Sequence, residues 1–151
     1  MREIEELRFL ILAAQREGNR QLAQDLRRLG VTPAQAEVLR LLQDRQPLTL
    51  TGLGELLVCE SGTNPSRLVD RLVTAGLVYR VEAAHDRRQV ELTLTPGGRR
   101  LARQIAAVEA RLYRDLEAAG VDYDMAAVIA FLRTLVADRP AGEAVARRKA
   151  S

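Results

Sequence analysis

Tryptophan is absent from this sequence, and cysteine, histidine and lysine occur once each, as Cys59, His85 and Lys149. One cysteine excludes an internal disulfide framework and a cysteine-rich zinc site, and a single distant histidine adds no metal centre. The same scarcity argues against nucleophilic catalysis, which needs a nucleophile and an orienting base within reach of each other. The chain also lacks a P-loop, a Gly-x-Ser-x-Gly turn and paired histidines. Neither an enzyme nor a bound metal or cofactor is expected. No apolar run approaches the roughly 20 residues that cross a bilayer. The opening Met1-Arg2-Glu3-Ile4-Glu5-Glu6 is acidic and lacks the layout of a secretory signal. A cytoplasmic protein without membrane contact is the expectation.

What is present is ordinary in amount and unusual in placement. Of 151 residues, 47% are hydrophobic and 28% charged, as in a globular chain of one domain with helical extensions. The formal net charge is +3. All of it resides in residues 61–100, where Arg67, Arg71, Arg80, Arg87, Arg88, Arg99 and Arg100 face only Asp70, Glu82, Asp86 and Glu91. Elsewhere acids and bases cancel. A basic block of this kind suits an anionic partner.

Apolar spacing predicts a helix over residues 3–29, with Ile4, Leu7, Ile11 and Ala14 on one face and Gly30 as its stop. Thr32-Pro33-Ala34-Gln35 is a capping box that opens a second helix, ending before Pro47. Thr49 caps a short third helix reaching Leu57, weakened by Gly52 and Gly54. Asn64 and Pro65 are a cap and first residue for a fourth, which runs to about Thr74 and stops at Gly76. Its apolar residues Leu68, Val69, Leu72 and Val73 leave Ser66, Arg67, Asp70 and Arg71 on the outer face. The period then changes to two: residues 77–82 and 89–94 read as strands joined by a polar loop at 83–88. Thr95-Pro96 opens a long helix to about Ala119. Its Leu101, Ile105, Val108, Leu112 and Leu116 are spaced as a seam for a partner helix. A last helix spans residues 124–137, with Val128, Phe131, Leu132 and Leu135 inside. Residues 139–151 read as a flexible, basic tail.

A short helix, a turn, a helix with a basic outer face and a hairpin make a winged helix-turn-helix, whose second helix fits the DNA major groove. Here the chain resembles the MarR family of transcription regulators. Leu68-Val69-Asp70-Arg71-Leu72-Val73-Thr74-Ala75-Gly76-Leu77-Val78 is similar to the end of that family's recognition helix. Asp86-Arg87-Arg88, followed by Leu94-Thr95 and Gly98, matches its wing signature. Between Leu57 and Arg67 the chain is one residue longer than the family pattern and carries Pro65, so base contacts at residues 61–66 do not transfer one by one. The resemblance implies a mainly α fold in four parts. A dimerisation helix occupies 1–31, the winged domain 32–95, dimerisation helices 96–138 and the tail 139–151. It also implies a homodimer on a pseudo-palindromic operator in double-stranded DNA, usually as a repressor, released by a small aromatic or anionic effector.

On that basis Thr63, Asn64, Ser66, Arg67 and Arg71 are candidate DNA contacts on the fourth helix, with capping as the alternative for Asn64. Arg88 is the expected minor-groove residue of the wing, where a narrow A·T-rich groove attracts arginine. Arg87 is expected to reach phosphate, and Asp86 to hold Arg88 by a salt bridge. Leu7, Ile11, Leu101, Ile105, Val108, Leu112, Phe131 and Leu135 are the candidate dimer interface. Cys59 is expected to be a small buried hydrophobe. Peroxide-sensing relatives carry their reactive cysteine in the first helix, and Glu60 beside this one disfavours a thiolate. The competing reading is a winged helix used for protein contact without specific DNA binding.

Overall fold

The computed structural model describes residues 1–59 and 64–150. Its elements in order are α1 (Glu3–Leu26), α2 (Pro33–Arg45), β1 (Leu48–Thr49), α3 (Leu50–Gly54), α4 (Pro65–Thr74), β2 (Val78–Ala83), β3 (Asp86–Leu94), α5 (Pro96–Ala119), α6 (Met125–Val136) and α7 (Pro140–Lys149). The fold is mainly α, with one antiparallel sheet of order β1-β3-β2.

The first helix is shorter than its periodicity predicts. It ends at Leu26, and Arg27–Leu29 tighten into a 3-10 turn before Gly30 at φ 73°. The capping box of α2 forms in both directions: Gln35 N donates to Thr32 Oγ1 at 3.2 Å and Thr32 N to Gln35 Oε1 at 3.0 Å. Two orphan amides are thereby satisfied. α2 is the central helix, burying Val38, Leu39, Leu41 and Leu42 together with the charged Glu37. Each fully buried leucine contributes on the order of 1.5–3 kcal/mol. α3 ends at Gly54, not Leu57, consistent with the low helix propensity of its two glycines.

β2 and β3 form the expected hairpin, from Val78 opposite Leu94 to Ala83 opposite Asp86. β3 begins three residues earlier than the alternation predicts, so the polar stretch is mostly strand and only Ala84 and His85 form the turn. β1 pairs with the far edge of β3, Leu48 opposite Leu92.

One joint locks the wing to both flanking helices. Thr95 Oγ1 donates to the Gly76 carbonyl at 2.7 Å and accepts from Gly98 N at 3.0 Å. Gly98 lies so close to the chain after α4 that a Cβ there would fall 2.0 Å from the Leu77 carbonyl oxygen. The Leu-Thr-x-x-Gly part of the wing signature is therefore a structural clasp.

Three expectations about the flanks need correction. Ile105 and Val108, read as dimer seam, are 0% and 4% exposed and belong to the chain's own core, with Leu101 packed against it. A long apolar stripe looks the same in sequence whether its partner is α2 of the same chain or another copy. The residues expected inside α6 are instead exposed: Phe131 at 43%, Leu135 at 51%, with Val128 and Leu132 similar. Residues 140–149, expected within a flexible tail, form α7. Asp138 at φ 58° reverses the chain there, and Gly142 allows a close return, since a Cβ on it would lie 2.0 Å from the Val136 carbonyl oxygen.

Candidate nucleic-acid interface

α4 is anchored at its start by Asn64, whose Oδ1 accepts from Ser66 N at 3.0 Å, with Pro65 as first residue. Capping is thus the role the structure gives Asn64. Leu68, Val69 and Leu72 are buried, which turns Arg67 and Arg71 outward one helical turn apart. Asp70 does not neutralise either of them. It pairs with Arg80 of β2 at 2.6 Å, and no ion pair involves Arg67 or Arg71 among the described residues. Ser66 is half-buried, and Thr63 lies outside the described residues.

On the wing, Arg87 and Arg88 are both exposed. Asp86 does not reach the Arg88 guanidinium as expected. Its Oδ1 accepts the Arg88 backbone amide at 2.9 Å, and no ion pair joins the two side chains among the described residues. The acid therefore shapes the backbone at the hairpin turn instead of engaging the Arg88 side chain. Exposed arginines that form no ion pair among the described residues are suited to phosphate and base edges, which arginine matches with a planar fork.

Residues 29–89 match the sequence profile of the MarR family. Wild-type MarR from E. coli in its apo form superposes with a TM-score of 0.66 at 30% identity, covering 87% of this chain and 96% of that one. The chain belongs to the MarR family. A cysteine mutant of E. coli MarR complexed with operator DNA superposes better, with a TM-score of 0.76 at 29% identity over 89% of this chain and 96% of that one. The organic hydroperoxide resistance transcriptional regulator of Bacillus subtilis is 34% identical over 93 residues, which are 62% of this chain and 63% of that regulator's length. As a MarR-family member, the chain is a transcription regulator with a winged-helix fold rather than an enzyme.

Several residues that matter in this MarR-type fold escape a reading by motif. Glu37 is 7% exposed within α2. It accepts the backbone amides of Val58 at 2.7 Å and Cys59 at 2.9 Å, and pairs with Arg148 of α7. A sequence signal for it exists: Glu37 occupies the same helical stripe as Ala34 and Leu41, both buried, and a charge there requires a partner. Arg40 donates from Nε to Glu109 Oε2 of α5 at 2.8 Å. Burial works against the Arg40 charge, but the Glu109 hydrogen bond and charge outweigh it and raise its pKa.

These groups line a cavity of about 340 Å³ between α1, α2, α5 and α7, which also includes Tyr113 and Cys59. Burial, then Glu109, raises the pKa of Tyr113. Cys59 is exposed at its surface rather than buried as expected. Desolvation of its thiol and the neighbouring Glu37 carboxylate nevertheless push its pKa up to about 12. No group of three or more His, Cys, Asp or Glu among the described residues is placed to hold a metal ion. No helix among them is long and apolar enough to cross a membrane.

Proposed function

We propose that this regulator binds a pseudo-palindromic operator as a homodimer and acts there as a repressor. The observation that carries the reading is the outward pair Arg67 and Arg71 on α4, which form no ion pair among the described residues while Asp70 between them is engaged by Arg80. α4 enters the major groove with Arg67 and Arg71 toward base edges and phosphate, and Ser66 lies at the end of the helix that approaches first. Arg88 enters the flanking minor groove, Arg87 reaches phosphate, and Asp86 orients the wing through the Arg88 amide.

The homodimer is supported by apolar surface with no cover in a single chain. On α6, Phe131, Leu132 and Leu135 are exposed, and on α1 so are Phe9, Leu10 and Leu12 beside the half-buried Leu7 and Ile11. Contiguous exposed apolar patches of this kind mark association surfaces. Two-fold symmetry then places half-sites roughly 10–10.5 bp apart, or a multiple of that. The cavity beside Arg40 and Arg148 is the place for a small aromatic or anionic effector, with its cations already partnered by Glu109 and Glu37. Peroxide is not the proposed signal, because a thiol with its pKa near 12 is a poor nucleophile at neutral pH.

The test is DNase footprinting on DNA upstream of the protein's own gene at two salt concentrations. A protected inverted repeat that weakens as salt rises is the expected result. Salt-insensitive binding, or none at any promoter tested, would favour the protein-contact reading.

A further inference from the structure

The C-terminal helix reaches back to the helix-turn-helix. Arg148 of α7 donates from Nη2 to the Leu56 carbonyl at 2.6 Å and from Nε to the same oxygen at 2.8 Å, and its Nη2 also pairs with the Glu37 carboxylate. Arg147 Nη1 donates to the Glu55 carbonyl at 3.3 Å. Glu55 and Leu56 follow α3, where helix carbonyls lack intrahelical partners. α7 therefore satisfies the end of the first helix of the DNA-binding pair from outside the winged domain. Through Glu37 the same arginine also restrains the carboxylate that holds the amides of Val58 and Cys59. Arg45 Nη2 closes the arrangement by donating to the Arg148 carbonyl at 2.6 Å.

We propose that Arg148 is a positioning residue for operator recognition, clamping the segment that leaves α3 so that α4 is presented at a fixed angle. The inference rests on the DNA-reading function proposed above. α3 and α4 pack closely, since a Cβ on Gly54 would lie 3.5 Å from Pro65 Cγ. A shift at the end of α3 is therefore passed to the start of α4, where base edges are read. Glu37 is buried and Arg148 only part-exposed, so the pair is shielded from salt far more than a surface ion pair. Arginine is required at this position because its planar fork serves a carbonyl and a carboxylate at once.

The experiment compares wild type, Arg148→Ala, Arg148→Lys and Glu37→Gln in the full chain. Binding is measured by fluorescence anisotropy on the footprinted operator and on a scrambled duplex, across a salt series. The expected result is a roughly tenfold or greater loss on the operator for Arg148→Ala and Arg148→Lys. Scrambled-duplex binding and the salt slope should stay unchanged, because Arg148 touches no phosphate. An equal loss on both duplexes, with the slope shallower by about 1, would make Arg148 a phosphate contact and overturn the proposal. Unchanged operator affinity would overturn it as well. If Arg148→Ala does not fold, Arg148→Lys retains the charge and carries the test. Amide exchange at Val58 and Cys59, read without DNA, should be faster in Arg148→Lys than in wild type, and identical rates would remove the clamp. If wild type binds no operator, the DNA-reading function fails on its own, and the exchange rates still decide whether the clamp exists.

Discussion

The Asp70 carboxylate of α4 accepts from the Arg80 guanidinium of β2 at 2.6 Å, tying the recognition helix to the base of the wing. Both side chains are substantially exposed, at 55% and 39%, so the pair is screened and contributes little to stability. Its consequence is for charge placement, since it removes the acid that sits between Arg67 and Arg71. Asp70→Asn is expected to change the free energy of unfolding by no more than about 1 kcal/mol in urea titrations. Binding to a scrambled duplex at low salt should tighten, because Arg80 is released from its acid.

The arginines themselves separate by what they touch. Arg67→Ala or Arg71→Ala at a guanine contact should cost roughly 1–3 kcal/mol on the operator and relax preference at one base pair. The same substitution at a phosphate contact should weaken all duplexes alike. Arg88→Ala should lose most on operators with A·T-rich flanks, and substituting those flanks with G·C pairs should erase the difference from wild type. Anisotropy on a panel of point-substituted duplexes reads all three.

Gly98 is a position where backbone approach forbids any side chain. With a Cβ placed 2.0 Å from the Leu77 carbonyl oxygen, Gly98→Ala must displace the junction of α4, the wing and α5. Overpacking of this kind costs typically about 1–3 kcal/mol, and backbone on the receiving side puts this case at the upper end. Equilibrium urea unfolding measures it, and a variant as stable as wild type would show that the junction is more yielding than its geometry.

Cys59 should be a sluggish thiol. With its pKa near 12 against 9.0 for an unperturbed cysteine, its thiolate fraction at pH 8 falls roughly a thousandfold. Alkylation by iodoacetamide should be correspondingly slow in the native protein and fast in guanidinium. The raised pKa also sets a direction for stability. The folded state holds its proton longer than the unfolded chain, so this contribution is complete below about pH 9 and is lost as pH rises towards 12. Stability that rose over that alkaline window would contradict the assignment for Cys59.

Phe131→Asp on α6 introduces a charge into an apolar face that the single chain leaves open. Light scattering should show the mass falling from dimer to monomer at micromolar concentration. Ile105→Asp is the contrasting change. It buries a charge in the chain's own core and should unfold the protein rather than dissociate it.

Much of the winged domain is legible from local chemistry. Thr32 with Gln35, Asn64 with Pro65, Thr95 with Pro96, and the change of period after Gly76 all mark real element boundaries. Caps and turns are decided within a few residues, so sequence carries them directly. The outer face of α4 follows in the same way, because Leu68, Val69 and Leu72 can only point to a core. Assignments that depended on distant partners went differently. Ile105 and Val108 turned out to be the chain's own core, Val128 and Leu132 lie exposed on α6, and the basic C-terminal stretch is a helix.

By itself, then, the sequence determined the order of elements, the basic block and the outward face of α4, since these rest on short-range periodicity and capping. Only the tertiary structure decided that Asp70 belongs to Arg80, that Asp86 holds an amide rather than a guanidinium, and that Arg148 returns to Glu37 across 111 residues of chain. An ion pair leaves no periodic trace. Any arginine satisfies any carboxylate equally well in sequence, and only the packing of α2, α3 and α7 brings one particular pair within reach.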